Sequence, residues 1–284
     1  MMQSVMIDRG KRGSFKRWDM AANLFLLIVA IFTFLPFYFL VITSLKTTSQ
    51  MRHFFMAPAF PFHFENYAIA FEQLQKYFLN TLTITIIAVP GILLFSSLAA
   101  FAFARYTFPG KTFLFYTIIS LLMVPFVLTL VPAFVWIKQL GLLNTYWALI
   151  LPYIAGGQVF AIYLLRSFFA TIPNELFDSA YVDGANIFQI YWRIAMPLIK
   201  PMLGVVAILN TLSIWNDYIW PLVTLQDDSM RTITIGLRYF QGQYHTNYGP
   251  LFSGYILASL PLLALFVVAM RPFVSGLTSG AIKM

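Results

Sequence analysis

The sequence contains no cysteine and very little charge. The absence of cysteine from all 284 residues excludes disulfide bonds, thiolate metal ligands and cysteine-linked lipid anchors. Only 10% of the residues are charged, whereas soluble domains contain about a quarter. In contrast, 60% are hydrophobic and the mean hydropathy is +0.78. This composition excludes an ordinary soluble domain and predicts a membrane protein.

Two kinds of chemical site are also missing from the sequence. The three histidines, at positions 53, 63 and 245, are dispersed and lack the spacing of metal ligands. Lys111 and Thr112 follow a glycine, as in a phosphate-binding loop, but the second glycine of that motif is replaced by Arg105. We therefore expect no metal, no cofactor and no nucleotide on this chain.

Six apolar runs are long enough to cross a membrane, which requires about 20 residues each. They are Met20–Thr43, Tyr77–Ala104, Phe113–Ile137, Tyr146–Phe169, Leu198–Val223 and Leu251–Met270. An even number of spans places both termini on one side. Twelve Lys and Arg residues fall on that side and six on the other, so the termini are predicted to be cytoplasmic. The same bias explains the net charge of +8 without nucleic acid.

The predicted fold class is thus all-α: a polytopic membrane protein with six transmembrane helices and both termini cytoplasmic. Its predicted segments are a basic N-terminal tail at 1–19, a transmembrane domain at 20–273, a cytoplasmic loop at 170–200, outer loops at 44–76 and 224–250, and a C-terminal tail at 274–284.

The most polar part of the cytoplasmic loop reads ELFDSAYVDGANIFQIYWRIAMPLIKP, from Glu175 to Pro201. Asn174 can cap a helix there, with acidic residues in the first turns where the helix dipole favours them. The residues at 176, 177, 180 and 181 form one apolar stripe at helical spacing. Gly184 suits the left-handed position that ends a helix. The pattern predicts a short amphipathic helix followed by a sharp turn.

A second short helix is predicted directly after the turn. Asn186 with Gln189 three residues later fits a capping box. Pro197 and Pro201 then predict a bend into the fifth span. An amphipathic helix of this kind can lie on lipid or insert into a groove of a partner protein. The acidic residues of the segment disfavour the anionic inner leaflet, but these residues alone leave both interpretations open.

The run IPNELFDSAYVDGANIFQIYWRIAMPLIKP resembles the EAA loop of ATP-binding-cassette importer permeases, and more narrowly that of sugar-uptake permeases of the maltose-transporter type. It departs from the family pattern at Asp178, where Glu is usual, and at Ser179, where Ala is usual. The stretches GLLNTYWALILPYIAGGQVFAIYLLRSFF, WNDYIWPLVTL and RPFVSGLTSGAIKM also resemble these permeases, in the same order. The resemblance covers nearly the whole chain and is nearest to the second permease subunit.

The resemblance implies that the loop forms a coupling helix that docks on a cytoplasmic ATPase. The residues expected to mediate this contact are Glu175, Leu176, Phe177, Asp178, Ser179, Ala180, Asp183, Gly184 and Ala185. ATP and Mg would be bound by the ATPase and not by this chain. The implied partners are a second permease of six or more spans, a dimer of ATPase subunits, a substrate-binding protein outside the membrane, a sugar and the lipids of a bacterial cell membrane.

Two further groups of residues are candidates for contact with solute or partner. Asp217, beside Trp215 and Asn216, is an acid within an apolar span; it could line the solute pathway, or it could bond a neighbouring helix or reach water. The outer loop carries Asp227, Asp228, Arg231, Tyr239 and Tyr244, which could contact the binding protein. Its aromatic residues are also typical of a membrane-interface belt.

Three alternatives remain at this point. A secondary transporter would carry several ionisable residues within its spans, and one good candidate is present. A membrane enzyme would cluster His, Asp or Glu near one face. An importer of a non-sugar solute, such as glycerol phosphate, is not separated from a sugar importer by the sequence. Six spans are few for a complete pathway, which independently favours a paired permease.

Overall fold

The computed structural model describes the backbone of residues 12–242 and 246–281, and the side chains of residues 19–242 and 246–267. Within these ranges the regular elements are helical, apart from one isolated bridge between Gln241 and Thr246. The α-helices are α1 (Arg12–Ser44), α2 (Thr48–His53), α3 (Glu65–Arg105), α4 (Lys111–Ser120), α5 (Phe126–Gln139), α6 (Trp147–Phe169), α7 (Glu175–Val182), α8 (Ile187–Ile190), α9 (Met196–Leu198), α10 (Lys200–Asn216), α11 (Ile219–Thr224), α12 (Ile233–Gly236) and α13 (Tyr248–Ala281).

The structure contains four to six candidate membrane spans where six were predicted, and two of the predicted spans are broken. Four helices, α1, α3, α6 and α13, are each long and apolar enough to cross a bilayer. Two bent pairs bring the number to as many as six: α4 with α5, bent by 102°, and the segment Ile187–Leu198 with α10, bent by 74°. The all-helical fold class is therefore confirmed for the part of the chain that the structure describes.

Proline accounts for both bends. Pro125 precedes α5 with ψ near 132°, an extended conformation that stops the helix from running on from α4. In the second pair, a π-helical turn (Tyr191–Ala195) precedes Pro197, and Pro201 lies in the first turn of α10. The predicted bend into the fifth span is thus confirmed.

Helix ends differ from the predicted spans at several places: α1 begins at Arg12 instead of Met20, and α13 ends at Ala281 instead of Met270. The third helix begins at Glu65, well before the predicted start at Tyr77, so the outer segment 44–76 contains α2 and the first turns of α3. The tenth helix ends at Asn216, because Asp217 is extended (φ −67°, ψ 129°), and α11 is a separate short helix. The break places a polar residue where an uninterrupted span was predicted.

The core is centred on the crossing of α3 with α6. Its buried residues include Ile84, Ala88, Ile92, Leu149, Ile150 and Leu165. Gly157 makes the close approach possible, since a Cβ there would lie 2.6 Å from the Ile92 Cδ1 atom and 2.5 Å from the Asn210 Oδ1 atom. Small residues at helix crossings are typical of membrane proteins, where close van der Waals packing drives association.

The first helix contrasts with this core, because its apolar stretch is unburied within the chain. Side chains such as Phe25, Phe32 and Phe34 are well exposed along it. Only its outer end is packed, where Ser44 accepts hydrogen bonds through its carbonyl oxygen from Asn66 (2.8 Å) and Ser253 (3.1 Å). This face of α1 is suited to lipid or to another membrane helix.

Candidate functional site

The helix α7 forms as predicted, but its start is built differently. Asn174 precedes the helix in a helical conformation and its side chain does not cap it. Instead, its Oδ1 atom accepts a hydrogen bond from Arg105, so the predicted capping role is wrong. Glu175 and Asp178 do lie in the first turn, where the positive end of the helix dipole stabilises them.

The turn after α7 depends on a single glycine. Gly184 has φ +79°, a left-handed conformation that is costly for other residues. The Ala185 amide donates to the Ala180 carbonyl at 2.9 Å, which closes the helix end. Asn186 and Gln189 then form the predicted capping box of α8, with both hydrogen bonds at 2.9 Å. The predicted short helix, the turn at Gly184 and the second short helix are therefore all confirmed.

The four apolar residues of the α7 stripe are not all on the exposed side of the helix. Phe177 is 5% exposed and Ala180 is also buried, because both pack into the chain's own core. Leu176 and Tyr181 are roughly half exposed. The expectation that all four present one surface to a partner is therefore wrong: two of them anchor the helix and two remain free to make contacts.

The loop carries more exposed apolar surface than the stripe alone predicted. We define the loop patch as Leu176, Tyr181, Val182, Ile187 and Phe188; Val182 is 88% exposed and Phe188 is 71% exposed. Val182, Ile187 and Phe188 were not among the predicted contact residues. The sequence does contain a signal for them, because one apolar residue comes shortly before the turn at Gly184 and two come shortly after it. Several exposed apolar side chains in one short loop are typical of an interaction site.

The acidic residues of the loop are close in sequence to the residues of the patch. Glu175, Asp178 and Asp183 are all exposed. Among the described residues none of them takes part in a salt bridge. Ser179 is exposed as well, and its hydroxyl donates to the Glu175 carbonyl at 2.7 Å. The loop thus exposes both apolar and acidic side chains, a combination that can complement a partner surface with apolar and basic groups.

A second feature is a cavity of about 820 Å³ between α5, α6 and α10. Its lining is largely apolar and includes the aromatic residues Phe126, Tyr153, Trp136 and Trp220, with polar groups from Thr129, Asn210, Ser213, Asn216 and Asp217. Volumes of this size suit small-molecule sites, in which a few polar groups orient the ligand against apolar walls.

Asp217 lies in this cavity and is held by the chain itself. Its Oδ2 atom accepts a hydrogen bond from the Tyr153 hydroxyl at 2.9 Å, and its Oδ1 atom accepts one from the Trp220 amide at 3.3 Å. Its carbonyl oxygen accepts a hydrogen bond from Thr234 at 2.7 Å. The two interpretations of Asp217 therefore coexist, since it both bonds neighbouring helices and lines an open space.

The other two residues of the predicted pathway group are separated. Asn216 lines the cavity with Asp217, but Trp215 does not. Trp215 is 3% exposed and its indole Nε1 atom donates to the Ala258 carbonyl of α13 at 3.0 Å. Asn210 belongs to the cavity instead and was missed, although its position seven residues before Asp217 puts it on the same helical face.

The outer loop is tied to α3 through Asp228. One carboxylate oxygen lies 2.5 Å from the Lys76 ammonium, and the Tyr77 hydroxyl donates to the other at 2.8 Å. Arg231 adds a weaker ion pair at 3.4 Å. The hydrogen bond from Lys76 holds the pKa of Asp228 below its ordinary value. Asp228 and Arg231 are thus engaged within the chain, whereas both had been expected to be available to a partner.

Other parts of the outer loop are buried against α3. The Ile233 amide donates to the Thr81 hydroxyl at 2.8 Å, and Asn80 donates to the carbonyls of Ser229 and Arg231. Phe240, an expected interface aromatic, is part of a buried cluster.

Asp228 keeps about half of its side chain exposed despite its contacts within the chain, and two further predicted contact residues of the outer loop are exposed. Asp227 accepts hydrogen bonds from Ser229, which lower its pKa, and Tyr239 lies at the surface. Tyr244 and His245 lie outside the described residues.

Comparisons with known proteins agree with this architecture. The family described as "Binding-protein-dependent transport system inner membrane component" matches residues 92–278. The chain is 34% identical to the probable ABC transporter permease protein YurM of Bacillus subtilis (strain 168), over 92% of this chain and 86% of that protein. It is 32% identical to the arabinooligosaccharides transport system permease protein AraQ of the same strain, over 95% and 97%.

A solved structure shares the fold. The crystal structure of a bacterial ABC transporter involved in the import of the acidic polysaccharide alginate contains a chain that superposes with a TM-score of 0.80. The alignment covers 94% of this chain and 99% of that one at 20% sequence identity. At that identity the likeness concerns the arrangement of helices.

Proposed function

The chain belongs to the family of binding-protein-dependent transport system inner membrane components, and on that premise we propose that it carries a sugar or oligosaccharide. Members of this family are permease subunits of ABC importers, so the chain is a transport subunit, and ATP hydrolysis resides on a partner. The single observation that supports a sugar is the cavity at the end of α10, whose lining combines aromatic faces with neutral hydrogen-bonding groups.

The charge of the cavity argues for a neutral solute. Its lining contains one carboxylate, that of Asp217, and no lysine or arginine among the described residues. A phosphate or carboxylate on the solute would be repelled there and would lack a cationic partner. This disfavours glycerol phosphate, whereas sugar hydroxyls can donate to Asp217 and to the amide oxygens of Asn210 and Asn216. The arabinooligosaccharide permease among the relatives agrees with this solute class.

The exposed loop supports a contact with an ATPase. We assign loop 170–200 to the cytoplasmic side, in line with the distribution of basic residues. The loop patch and the exposed acidic residues of the loop would occupy a groove on the ATPase, and the turn at Gly184 would fix the angle of α7. The contact residues expected from the resemblance serve this role, except Phe177 and Ala180, which hold α7 in place from below.

The remaining assignments follow from the permease role. A second permease would close the open side of the cavity and cover exposed helices such as α1. A substrate-binding protein would approach the outer loop, where Asp227 and Tyr239 are exposed contact candidates. The membrane is that of a bacterial cell.

The proposal is tested by purifying the tagged chain from its host in mild detergent and identifying every protein that accompanies it. We expect a second permease and an ATPase in fixed ratio to this chain. The complex is then placed in proteoliposomes with its binding protein, and uptake of neutral oligosaccharides is compared with that of glycerol phosphate. Recovery of the chain alone, or ATP-dependent uptake confined to the anionic solute, would overturn the proposal.

A further inference from the structure

Arg105, the last residue of α3, reaches across to the start of the loop. Its Nη1 atom donates to the Asn174 Oδ1 atom at 2.5 Å. Its Nη2 atom donates to the carbonyls of Phe169 at 2.5 Å and Ile172 at 2.6 Å. Those two carbonyls belong to the end of α6 and the connection that follows it, and the Phe169 carbonyl also accepts a hydrogen bond from the Ile172 amide at 3.2 Å. One guanidinium therefore bridges three separate points of the chain.

The same guanidinium also stacks on α7. Its central carbon lies 4.1 Å from the centre of the Phe177 ring, and Phe177 is the side chain that buries α7 in the core. Phe101, one turn earlier in α3, packs against both Phe177 and Phe169. A planar group with a fixed fork of donors can make these contacts together, which a lysine ammonium cannot do. The contact joins α3, α6 and α7 at one point.

A second bond ties α3 to the other half of the loop. The Ser97 and Tyr191 hydroxyls lie 2.7 Å apart, both buried, where α8 continues into the π-helical turn. At its opposite end, α3 holds the outer loop through Lys76, Tyr77 and Asn80. Between Lys76 and Arg105 one continuous helix rises about 44 Å. Thus α3 contacts loop 170–200 towards one end and the outer loop 224–250 towards the other.

We propose that Arg105 is a positioning residue that fixes α7 to α3, so that a push on the loop moves α3 instead of bending the loop alone. The inference rests on the proposed contact between this loop and an ATPase. It assigns a role in coupling to a residue outside the EAA-like segment. Loss of the bridge would leave the loop patch on the surface and able to bind, but would let α7 swing without moving the helix that lines the core.

The test uses the complete complex in proteoliposomes with Arg105→Gln and Arg105→Lys. Recovery of the ATPase, ATP hydrolysis and solute uptake are measured on the same samples. We expect ATPase recovery and hydrolysis to persist in both variants. Uptake per ATP hydrolysed should fall about tenfold, within the range typical of coupling between two sites.

Two further variants protect the test from folding defects. Asn174→Ala removes one acceptor of the bridge from an exposed position and should lower uptake per ATP in the same direction but less. Arg166→Gln is the matched control, since Arg166 stacks on Phe115 of α4 at 3.9 Å instead of on α7, and its ratio should stay at the wild-type value.

The outcomes separate the two claims. A wild-type ratio of uptake to hydrolysis in both Arg105 variants would overturn the positioning role and leave the proposed function intact. Loss of the ATPase from the Arg105 complexes, together with uptake, would mean that Arg105 only maintains the docking surface, which also overturns it. Absence of any ATPase from the wild-type complex would remove the proposed function and this inference with it.

Discussion

The two large loops of the chain differ in how many of their apolar side chains they leave exposed. Loop 170–200 leaves Val182 and Phe188 almost fully exposed, on short helices with a glycine turn between them. The outer loop 224–250 buries Ile233, Leu237 and Phe240 against α3 and α13. The first loop leaves apolar side chains that this chain does not cover, whereas most of the second loop is packed into the fold of this chain.

The acidic side chains of the two loops also differ in whether they are paired within the chain. The acidic residues of loop 170–200 are exposed and make no salt bridge among the described residues. In the outer loop, Asp228 is engaged by Lys76, Tyr77 and Arg231. The difference teaches that polarity and loop position in the sequence do not identify a docking surface. What identifies it is whether side chains find partners within their own chain.

The largest effect is expected from Gly184→Val, which attacks the shape of the exposed loop. A left-handed conformation costs a residue with a side chain about 1–2 kcal/mol, and a branched one more. Because no atom lies within 4 Å of the added Cβ, the effect is confined to the backbone. We expect uptake to fall at least about tenfold while the chain still reaches the membrane.

The matched control for that variant is Gly204→Ala in α10, where a Cβ also meets no atom within 4 Å and the backbone is helical. Uptake is measured in cells and the amount of chain by immunoblotting of membranes. Equal uptake in the Gly184 and Gly204 variants would show that the turn does not shape a working surface.

The next effect concerns the loop patch itself. Val182→Glu and Phe188→Ser each keep the fold, because both side chains are exposed, but remove apolar contact area from the proposed interface. Central apolar contacts can contribute about 2 kcal/mol or more to binding, so recovery of the ATPase should fall severalfold. Tyr239→Ser, an equally exposed position in the outer loop, should leave recovery unchanged. An equal drop in ATPase recovery for all three variants would contradict the proposal that only loop 170–200 contacts the ATPase.

A smaller effect is expected at the cavity. Tyr153→Phe removes the hydroxyl that donates to Asp217 but keeps the ring, and Asp217→Asn keeps the size but removes the charge. If the proposed function is right and the Asp217 carboxylate accepts hydrogen bonds from solute hydroxyls, both variants should raise the solute concentration needed for half-maximal uptake severalfold. Transport kinetics in proteoliposomes measure this. Unchanged kinetics in both variants, with normal amounts of chain, would assign Asp217 to structure alone.

The smallest effect concerns the Asp228 tether and its dependence on pH. The folded-state pKa of Asp228 lies below its ordinary value, about 3.9, so its contribution to stability is present above that pH and is lost as the pH falls through the folded pKa. Asp228→Asn should lower the melting temperature slightly at neutral pH and flatten its fall below about pH 4. Thermal unfolding of the purified complex measures both. Identical unfolding curves for the variant and the wild type would show that the contacts of Asp228 do not stabilise the outer loop.

The sequence predicted features that depend on local backbone chemistry. The turn at Gly184 and the capping box at Asn186 and Gln189 are confirmed, because each is decided by residues within one helical turn. The bend near Pro197 is confirmed for the same reason, since proline acts on its own backbone.

Features that depend on distant partners were not predicted. Phe177 and Ala180 point inward because α3 supplies Phe101 and Arg105, more than 70 residues away. Asp228 is engaged because Lys76 lies opposite it in space, and Trp215 faces Ala258 and not the cavity. Helical spacing predicts which residues lie on the same face of a helix. Tertiary packing decides which of these faces is buried by the rest of the chain.

The most direct test of the contrast between the loops uses the absence of cysteine. Single cysteines at Val182 and at Tyr239 carry a photo-crosslinker in intact cells, and the captured proteins are identified. The account predicts that position 182 captures an ATPase and position 239 does not. An ATPase captured from position 239, or none captured from position 182 in an actively transporting cell, would contradict it.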